Sequence, residues 1–301
     1  MQSSRARFLV ALFAALCLLC FALACSKGVD DEEDAETSGD DSAEVANLTP
    51  YKPNPAQEGS IVGTVNFSGA APEKSPISMT ADPVCASANP DAHTEDVVVN
   101  GDKLANVLVY IKEGKVGDKN FSGYSFASTA PPATLDQHGC HYVPHVSAVQ
   151  VNQTLNITNS DQTSHNINFD AKLNEKFNQG QGPQAAPITR QLKRAETVVP
   201  VKCNQHPWMR AYVAVLPHPF FAVTDASGKF EIKGVPAGTY TLVAWHEKNP
   251  KGLTQTVTVT AGGAATSDFN FSADQLKAEN VRGGALRAMP ALEFPMLGMQ
   301  H

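Results

Sequence analysis

The sequence predicts an all-β protein built from β-sandwiches, and two observations support this fold class. From Gly59 onward, short apolar and β-branched runs alternate with Gly, Pro, Asn and Asp, which is typical of strands separated by turns. Helical periodicity is scarce, and residues 273–281 are the one candidate helix of this region. The runs that we predict as strands are Ile61–Phe67, Val107–Ile111, Ala148–Ile157, Val198–Val201, Tyr212–Leu216, Phe230–Ile232, Tyr240–Ala244 and Thr254–Thr260.

The N-terminal residues have the pattern of an export signal. Two arginines precede an apolar run, Phe8–Ala24, and small residues then lead to Cys25. This ending resembles the lipobox of bacterial lipoproteins, which implies that residues 1–24 are removed and that Cys25 is acylated. An ordinary secretory signal or a short membrane anchor is the alternative. Ser26 resembles the residue that follows the lipidated cysteine of outer-membrane lipoproteins, so we expect a periplasmic location at that membrane.

The charge of the mature chain argues against nucleic acid as a partner. Removing Arg5 and Arg7 with the signal leaves 21 of the 23 basic residues against 30 acidic ones, a net charge of −9. A nucleic-acid-binding face would be basic. Many of the acids lie in residues 30–44, and such a run cannot bury apolar surface. We therefore predict a disordered acidic tether over residues 25–56.

Two separated segments resemble the two halves of one β-sandwich module. The first is Gly59–Pro72 with the strand Leu104–Ile111, and the second is Val223–Glu247, which contains T-D-A-S-G-K-F and P-A-G-T-Y-T-L. Together they resemble the carboxypeptidase regulatory-like, or transthyretin-like, module. The roughly one hundred residues between them are enough for a small domain. We therefore expect this module at residues 57–117 and 220–272, an inserted domain at 118–219, and a C-terminal tail at 273–301.

The inserted segment contains a metal-binding motif. Cys203, His206 and Met209 are spaced C-x2-H-x2-M, and His165 with Asn166 lies upstream. A thiolate, two imidazoles and a weak thioether suit copper that alternates between Cu(I) and Cu(II). A tight loop can supply three of these donors, and a neighbouring strand can supply the other histidine.

These residues resemble the amicyanin- and plastocyanin-like cupredoxins. The loop C-x2-H-P-x-M, the pair H-N and the opening strands around Tyr142 and Val149–Asn159 carry the resemblance, with Asn152 where the family often has Gly. It implies a Greek-key β-sandwich with one type 1 (blue) copper site. The implied ligands are His165, Cys203, His206 and Met209. Asn166 would tie the two ligand-bearing segments together by hydrogen bonding.

The motif also limits the function. A dinuclear copper site needs a second cysteine in the loop, and zinc needs a stronger fourth ligand than Met209. Copper nitrite reductases and oxidases need further copper domains. We therefore expect an electron carrier rather than an enzyme, with a redox partner such as a c-type cytochrome. Pro207 and Trp208 would form its docking patch. Copper binding without redox turnover and a structural surface lipoprotein remain as alternatives.

The remaining cysteines and histidines allow two interpretations. With Cys25 and Cys203 assigned, Cys85 and Cys140 are left to form a disulfide, which an exported compartment permits. Alternatively, Cys140 joins a second metal site with three nearby histidines: His138, His141 and His145. We expect His246 to be a surface histidine and the tail with its methionines to be loosely packed.

Overall fold

The all-β prediction is confirmed by the computed structural model, which describes residues 48–277. Within this range the chain is mostly strand, with one short α-helix, α1 (Pro83–Ala88). No helix among these residues is long and apolar enough to cross a membrane. The predicted signal peptide, Cys25, the first part of the tether and the tail after residue 277 lie outside the described residues.

The strands of the described range are two to eleven residues long, and three single-turn 3₁₀ helices accompany them in that range at Pro55–Gln57, Phe121–Gly123 and Ala273–Leu276. In chain order the strands are β1 (Thr49–Pro50), β2 (Glu58–Ser68), β3 (Val99–Asn100), β4 (Lys103–Leu104), β5 (Leu108–Val116), β6 (Lys119–Asn120), β7 (Tyr124–Ser125), β8 (Ala133–His138), β9 (His141–Val143), β10 (Val146–Gln150), β11 (Thr154–Asn159), β12 (His165–Phe169), β13 (Phe177–Gln181), β14 (Ile188–Gln191), β15 (Glu196–Lys202), β16 (Arg210–Leu216), β17 (Phe221–Val223), β18 (Lys229–Pro236), β19 (Gly238–His246), β20 (Asn249–Val259), β21 (Ala264–Thr266) and β22 (Phe269–Ser272).

The outer sandwich is formed by strands from both ends of the described chain. One sheet has the order β18-β2-β4-β3 with β21 and β22 also paired to β2, and the other has the order β17-β5-β19-β20 with β6 beside β5. Ile232 lies opposite Ile61 in the first sheet. Phe230 lies opposite Gly63, where its ring occupies the space that a Cβ would need. The two distant segments therefore form one core.

The inner sandwich lies between those segments in sequence. Its sheets have the orders β10-β16-β15-β12-β13 and β14-β11-β8-β9. Neither order follows the sequence, so connections cross between the sheets as in a Greek-key sandwich. The predicted run Ala148–Ile157 is two strands in different sheets. Asn152 lies in the turn between them with a left-handed φ of 67°, a conformation that asparagine tolerates.

The two sandwiches share an apolar interface. Strands β5 and β19 of the outer sandwich face β10 and β16 of the inner one, and buried side chains from all four pack together. These include Leu108, Tyr110, Val146, Leu216 and Trp245. Burial of large side chains from both sides stabilises the contact by the hydrophobic effect.

The structure differs from the expected domain boundaries at three places. The end of the expected disordered tether is ordered, because β1 pairs with β7 and a 3₁₀ turn follows at Pro55–Gln57. Residues 77–92, which we call the α1 segment, lie within the expected range of the outer module, but Met79, Cys85 and Ala92 are buried in the core of the inner sandwich. Conversely, Phe121 lies within the expected range of the inserted domain but packs in the outer core. Apolar burial, rather than sequence position, decides where each segment belongs.

The candidate helix at residues 273–281 is a 3₁₀ turn in the described part of the chain. Ser272 and Gln275 form a capping box that begins the turn at Ala273. Lys277 has extended backbone angles, so the turn ends after Leu276. Residues from 278 onward lie outside the description.

Candidate metal centre

The C-x2-H-x2-M motif forms the loop of a hairpin between β15 and β16. Lys202 and Arg210 are paired across the hairpin, so the loop begins and ends at matched positions. The backbone N–H of Cys203 donates to the carbonyl of Met209 at 3.2 Å, and the N–H of Met209 donates to the carbonyl of His206 at 2.9 Å. These hydrogen bonds hold the loop in a tight turn.

The second histidine comes from the neighbouring strand. His165 is the first residue of β12, which pairs with β15 through Asn168 and Lys202. The nitrogen and sulfur atoms of His165, Cys203 and His206 all lie within 4.8 Å of one another. The two Nδ1 atoms are 2.9 Å apart, and the sulfur of Cys203 is 3.8 Å from Nδ1 of His206. The sandwich thus brings three predicted ligands to one point.

Met209, the fourth predicted ligand, is completely buried. It packs in the core of the inner sandwich together with Cys203. Met209 ends the same hairpin loop, and its backbone is hydrogen-bonded to those of Cys203 and His206. A thioether with no solvent access suits a weak axial ligand.

Asn166 joins the two ligand-bearing segments. Its Oδ1 accepts hydrogen bonds from the backbone N–H of Asn204 at 2.7 Å and from the thiol of Cys203 at 3.3 Å. Its Nδ2 donates to Oδ1 of Asn178 at 2.6 Å. The hydroxyl of Tyr142 donates to its carbonyl at 2.6 Å. These contacts fix the orientation of the cysteine relative to β12.

Both histidines predicted as ligands donate their outer nitrogens to carboxylates. Nε2 of His165 lies 2.9 Å from Asp161, and Nε2 of His206 lies 3.1 Å from Asp82. A carboxylate only accepts, so each Nε2 carries a proton and each Nδ1 faces the other donors. Asp161 also accepts from the backbone N–H of Cys140 at 2.8 Å. Burial raises the pKa of Asp161, but these hydrogen bonds lower it overall.

The centre favours a positive charge where its donors converge. Burial lowers the pKa of His165, but Asp161 and Cys203 raise it overall to about 9. Burial raises the pKa of the Cys203 thiol, but His165 and nearby backbone N–H groups lower it overall. The donor set of two imidazoles, a thiol and a buried thioether fits copper.

The α1 segment covers this centre. Cys85 in α1 and Cys140 in the turn between β8 and β9 form a disulfide with an S–S distance of 2.04 Å, the pairing that elimination predicts. The sulfur of Cys85 lies 3.8 Å from Nε2 of His206. Among the described cysteines, Cys203 is free and buried. The disulfide leaves the thiol of Cys203 as the one available to a metal in this region.

The predicted docking patch is only partly exposed. Pro207 is exposed, whereas Trp208 is half-buried and donates its ring N–H to the carbonyl of Cys140 at 3.2 Å. The ring of Trp208 lies 5.1 Å from that of His206. His206 itself is only 5 % exposed, and its ring contacts Asp82 and Cys85 of the α1 segment.

The other histidines do not gather into a second metal site in the described structure. His138 is exposed, whereas His141 pairs with Glu95 at 3.3 Å and His145 pairs with Glu247 at 2.5 Å. None of them belongs to a group of three metal-binding side chains found among the described residues.

His246 is buried, contrary to the expectation of a surface histidine. It is 1 % exposed at the end of β19, where its ring lies 6.2 Å from that of Phe271. Burial and the nearby charges of His145 and Lys248 lower its pKa to about 3. The strand end that carries it is covered rather than open to solvent.

Asp82 and Asp161 are the site residues that the sequence interpretation missed. Asp161 precedes His165 by only four residues, so the sequence next to the histidine contains a signal for it, a nearby carboxylate. Asp82 is 124 residues from His206, and its role depends on where α1 packs. The sequence Asp82-Pro83 does indicate a helix start, but not what that start contacts.

One protein family model matches part of the chain. Residues 218–267 match the family model for domain II of polysaccharide lyase family 4. This range covers strands of the outer sandwich, and it is a different β-domain family from the one suggested by the sequence motifs. No curated protein matches the chain.

Among solved structures, similar chains include three copper proteins. A copper-containing nitrite reductase from Thermus scotoductus is 19 % identical with a TM-score of 0.26, and the match covers 31 % of this chain and 25 % of that one. A Cu(I) amicyanin variant is 22 % identical with a TM-score of 0.25, covering 28 % and 81 %. A purple cupredoxin from Nitrosopumilus maritimus is 22 % identical with a TM-score of 0.24, covering 28 % and 98 %. This chain thus spans a quarter of the nitrite reductase.

Proposed function

We propose that this protein binds one type 1 copper ion and carries single electrons. The observation that supports this most strongly is the convergence of His165, Cys203 and His206 within 4.8 Å beside the buried Met209. Bound copper would supply one-electron redox chemistry there.

The protein's own residues would keep the ligands in place during electron transfer. The hairpin hydrogen bonds fix the positions of Cys203 and Met209, and Asn166 ties that loop to β12. Carboxylates hold the outer nitrogens of His165 and His206. Because packing and hydrogen bonds fix these groups, they need to move little when the charge of the centre changes.

The proposed carrier acts at the cell envelope without catalysing a reaction of its own. The signal-like N-terminus and Cys25 support export and lipid anchoring, with the periplasmic side of the outer membrane as the proposed location. A redox partner such as a c-type cytochrome would dock near Pro207 and Trp208. Trp208 is half-buried beside His206, so it offers a short path from the centre to the surface.

Titration of the demetallated protein with Cu(II) tests this function. We expect one equivalent to bind, with an intense visible charge-transfer band and reversible voltammetry. Cys203→Ser should abolish the band, because a hydroxyl does not replace the thiolate. His165→Ala should remove or alter it, whereas His138→Ala, at an exposed position outside the centre, should leave it unchanged.

Two other results would contradict electron transfer. Tight Cu(I) binding that gives no band on oxidation would indicate copper handling without redox turnover. Absence of stoichiometric copper would leave a structural lipoprotein.

A further inference from the structure

Asp82, in the α1 segment, contacts both loops that carry the metal-binding histidines. Its Oδ2 lies 3.1 Å from Nε2 of His206 and accepts a hydrogen bond from the hydroxyl of Thr163 at 2.8 Å. Thr163 is two residues before His165. One carboxylate therefore connects the two loops, although Asp82 lies outside residues 118–219, the range expected for the inserted domain.

The backbone around Asp82 holds this carboxylate in place. Asp82 is the N-cap of α1, and its Oδ1 accepts hydrogen bonds from the backbone N–H groups of Val84 at 2.8 Å and Cys85 at 3.3 Å. The disulfide between Cys85 and Cys140 attaches α1 to the inner sandwich. With both oxygens occupied and the helix attached, the carboxylate has little freedom to turn away from His206.

We propose that Asp82 is a positioning residue for the copper centre, holding the ring of His206 and stabilising Cu(II) relative to Cu(I). This inference rests on the proposed copper function and adds to it. The α1 segment packs in the core of the inner sandwich, but in sequence it connects β2 and β3 of the outer one. The metal centre of the inner sandwich therefore depends on a residue from the chain segment that links two strands of the outer sandwich. The two sandwiches then form one functional unit.

The physical basis is the position of a negative charge near the metal. An imidazole that donates its outer N–H to a carboxylate is fixed in tautomer and orientation and becomes a stronger ligand. The carboxylate also interacts more favourably with the higher charge of Cu(II) than with that of Cu(I). The side chain of Asp82 is 17 % exposed and that of His206 is 6 % exposed, so solvent screens this interaction only weakly.

Two substitutions separate this role from helix capping. Asp82→Asn and Asp82→Ser both keep a good N-cap, so α1 should still begin at Pro83. Both remove the negative charge beside His206. As a matched control, Asp91→Asn removes the same charge from the α1 segment at a side chain that is 96 % exposed.

The first measurement is the reduction potential of the copper-loaded protein. We expect both Asp82 variants to favour Cu(I) at least tenfold more than the wild type, which corresponds to a potential about 59 mV higher for one electron. The charge-transfer band should persist, because the ligand set is intact. Asp91→Asn should change the equilibrium between Cu(II) and Cu(I) less than twofold.

The second measurement uses the metal-free protein. The Nε2–H proton of His206 should give an NMR signal that exchanges slowly with water in the wild type, because the N–H donates to the mostly buried carboxylate of Asp82. Exchange should be at least tenfold faster in Asp82→Ser and unchanged in Asp91→Asn. This readout tests the contact without depending on copper.

The outcomes distinguish the two proposals. Wild-type protein with the copper band, together with Asp82 variants whose potential is unchanged, would overturn the positioning role alone, whatever the exchange rate. Wild-type protein that binds no copper would overturn the copper function and this inference together. If Asp82→Asn does not fold, Asp82→Ser alone is used for the test. A melting curve that matches that of the wild type shows that a variant is folded.

Discussion

His145 of the inner sandwich and Glu247 of the outer sandwich form an ion pair across the boundary between them, with Nε2 and Oε1 2.5 Å apart. Both side chains are 9 % exposed. Nδ1 of His145 also lies 3.1 Å from the carbonyl of Arg210, so both ring nitrogens donate and the ring is an imidazolium. The hydroxyl of Tyr212 donates to the other oxygen of Glu247 at 3.1 Å. The contact between the sandwiches is therefore electrostatic as well as apolar.

This pair should make stability depend on pH. Burial lowers the pKa of His145, but Glu247 and the charge of Glu95 raise it overall. A raised pKa in the folded state contributes stability that is fully present below about pH 6.5 and is lost as pH rises through the folded-state pKa. Urea unfolding should show this loss above pH 6.5 in the wild type.

Substitution isolates the contribution of the pair. His145→Gln should cost about 3 kcal/mol at pH 6, because it leaves Glu247 without its cation. The cost should shrink as pH rises. His138→Gln, at an exposed histidine nearby, should change the free energy of unfolding very little. An equal cost of His145→Gln at pH 6 and pH 9 would show that the ring is not charged.

The disulfide between Cys85 and Cys140 should contribute substantially to stability. It closes a loop across a sequence separation of 55 residues. A loop of this length stabilises by about 4 kcal/mol on the chain-entropy model. The double variant Cys85→Ala and Cys140→Ala should lose about that much in urea unfolding of the metal-free protein. A thiol reductant should destabilise the wild type but not the double variant, and equal sensitivity of both would contradict this account.

The features that the sequence predicted are those set by local pattern. Cys203, His206 and Met209 lie close together in sequence between two predicted strands, so the sequence alone places them in one tight loop. The short motif H-N predicts His165 as a further ligand, and the structure places its side chain near those of Cys203 and His206. The sequence also predicts that the segments containing β2 and β18 share one sandwich, and these strands do pair although the inner sandwich separates them in sequence.

The features that the sequence missed depend on tertiary packing. The α1 segment has no pattern that assigns it to the inner core, because Met79, Cys85 and Ala92 are too few and too widely spaced to show a period. Its contact with His206 through Asp82 follows from that packing. His246 was misjudged for the same reason, since its burial comes from the outer core around Phe271 rather than from its own strand.

Acid should destabilise the outer sandwich through His218. This side chain is 2 % exposed, its Nε2 donates to the carbonyl of Ile111 at 2.9 Å, and its Nδ1 accepts from the N–H of Phe220 at 3.2 Å. The ring is therefore neutral, and burial lowers its pKa to about 4. Because the unfolded chain takes up the proton first, stability falls as pH drops from about 6.5 to 4, by roughly 3 kcal/mol in total.

Comparison of two glutamine variants tests this effect. His218→Gln should be less stable than the wild type at neutral pH, but its stability should fall less between pH 6.5 and 4. His138→Gln should follow the wild-type curve, because that side chain is exposed. Parallel curves for the wild type and His218→Gln would contradict the assignment of the acid sensitivity to this residue.

Met209 should set the copper potential without being needed for copper binding. A Met→Leu exchange nearly conserves volume and costs less than about 1.5 kcal/mol in most cores, so Met209→Leu should fold. Loss of the thioether removes a weak donor that stabilises the oxidised state more than the reduced one, so the reduction potential should rise while the band remains.

Met79→Leu makes the same exchange at a buried methionine of the same core and should leave the potential unchanged. Equal shifts in the two variants would mean that altered side-chain packing, rather than loss of an axial ligand, raises the potential. Loss of copper from Met209→Leu would mean that the thioether is essential for binding, which the near-contact of the other three donors argues against.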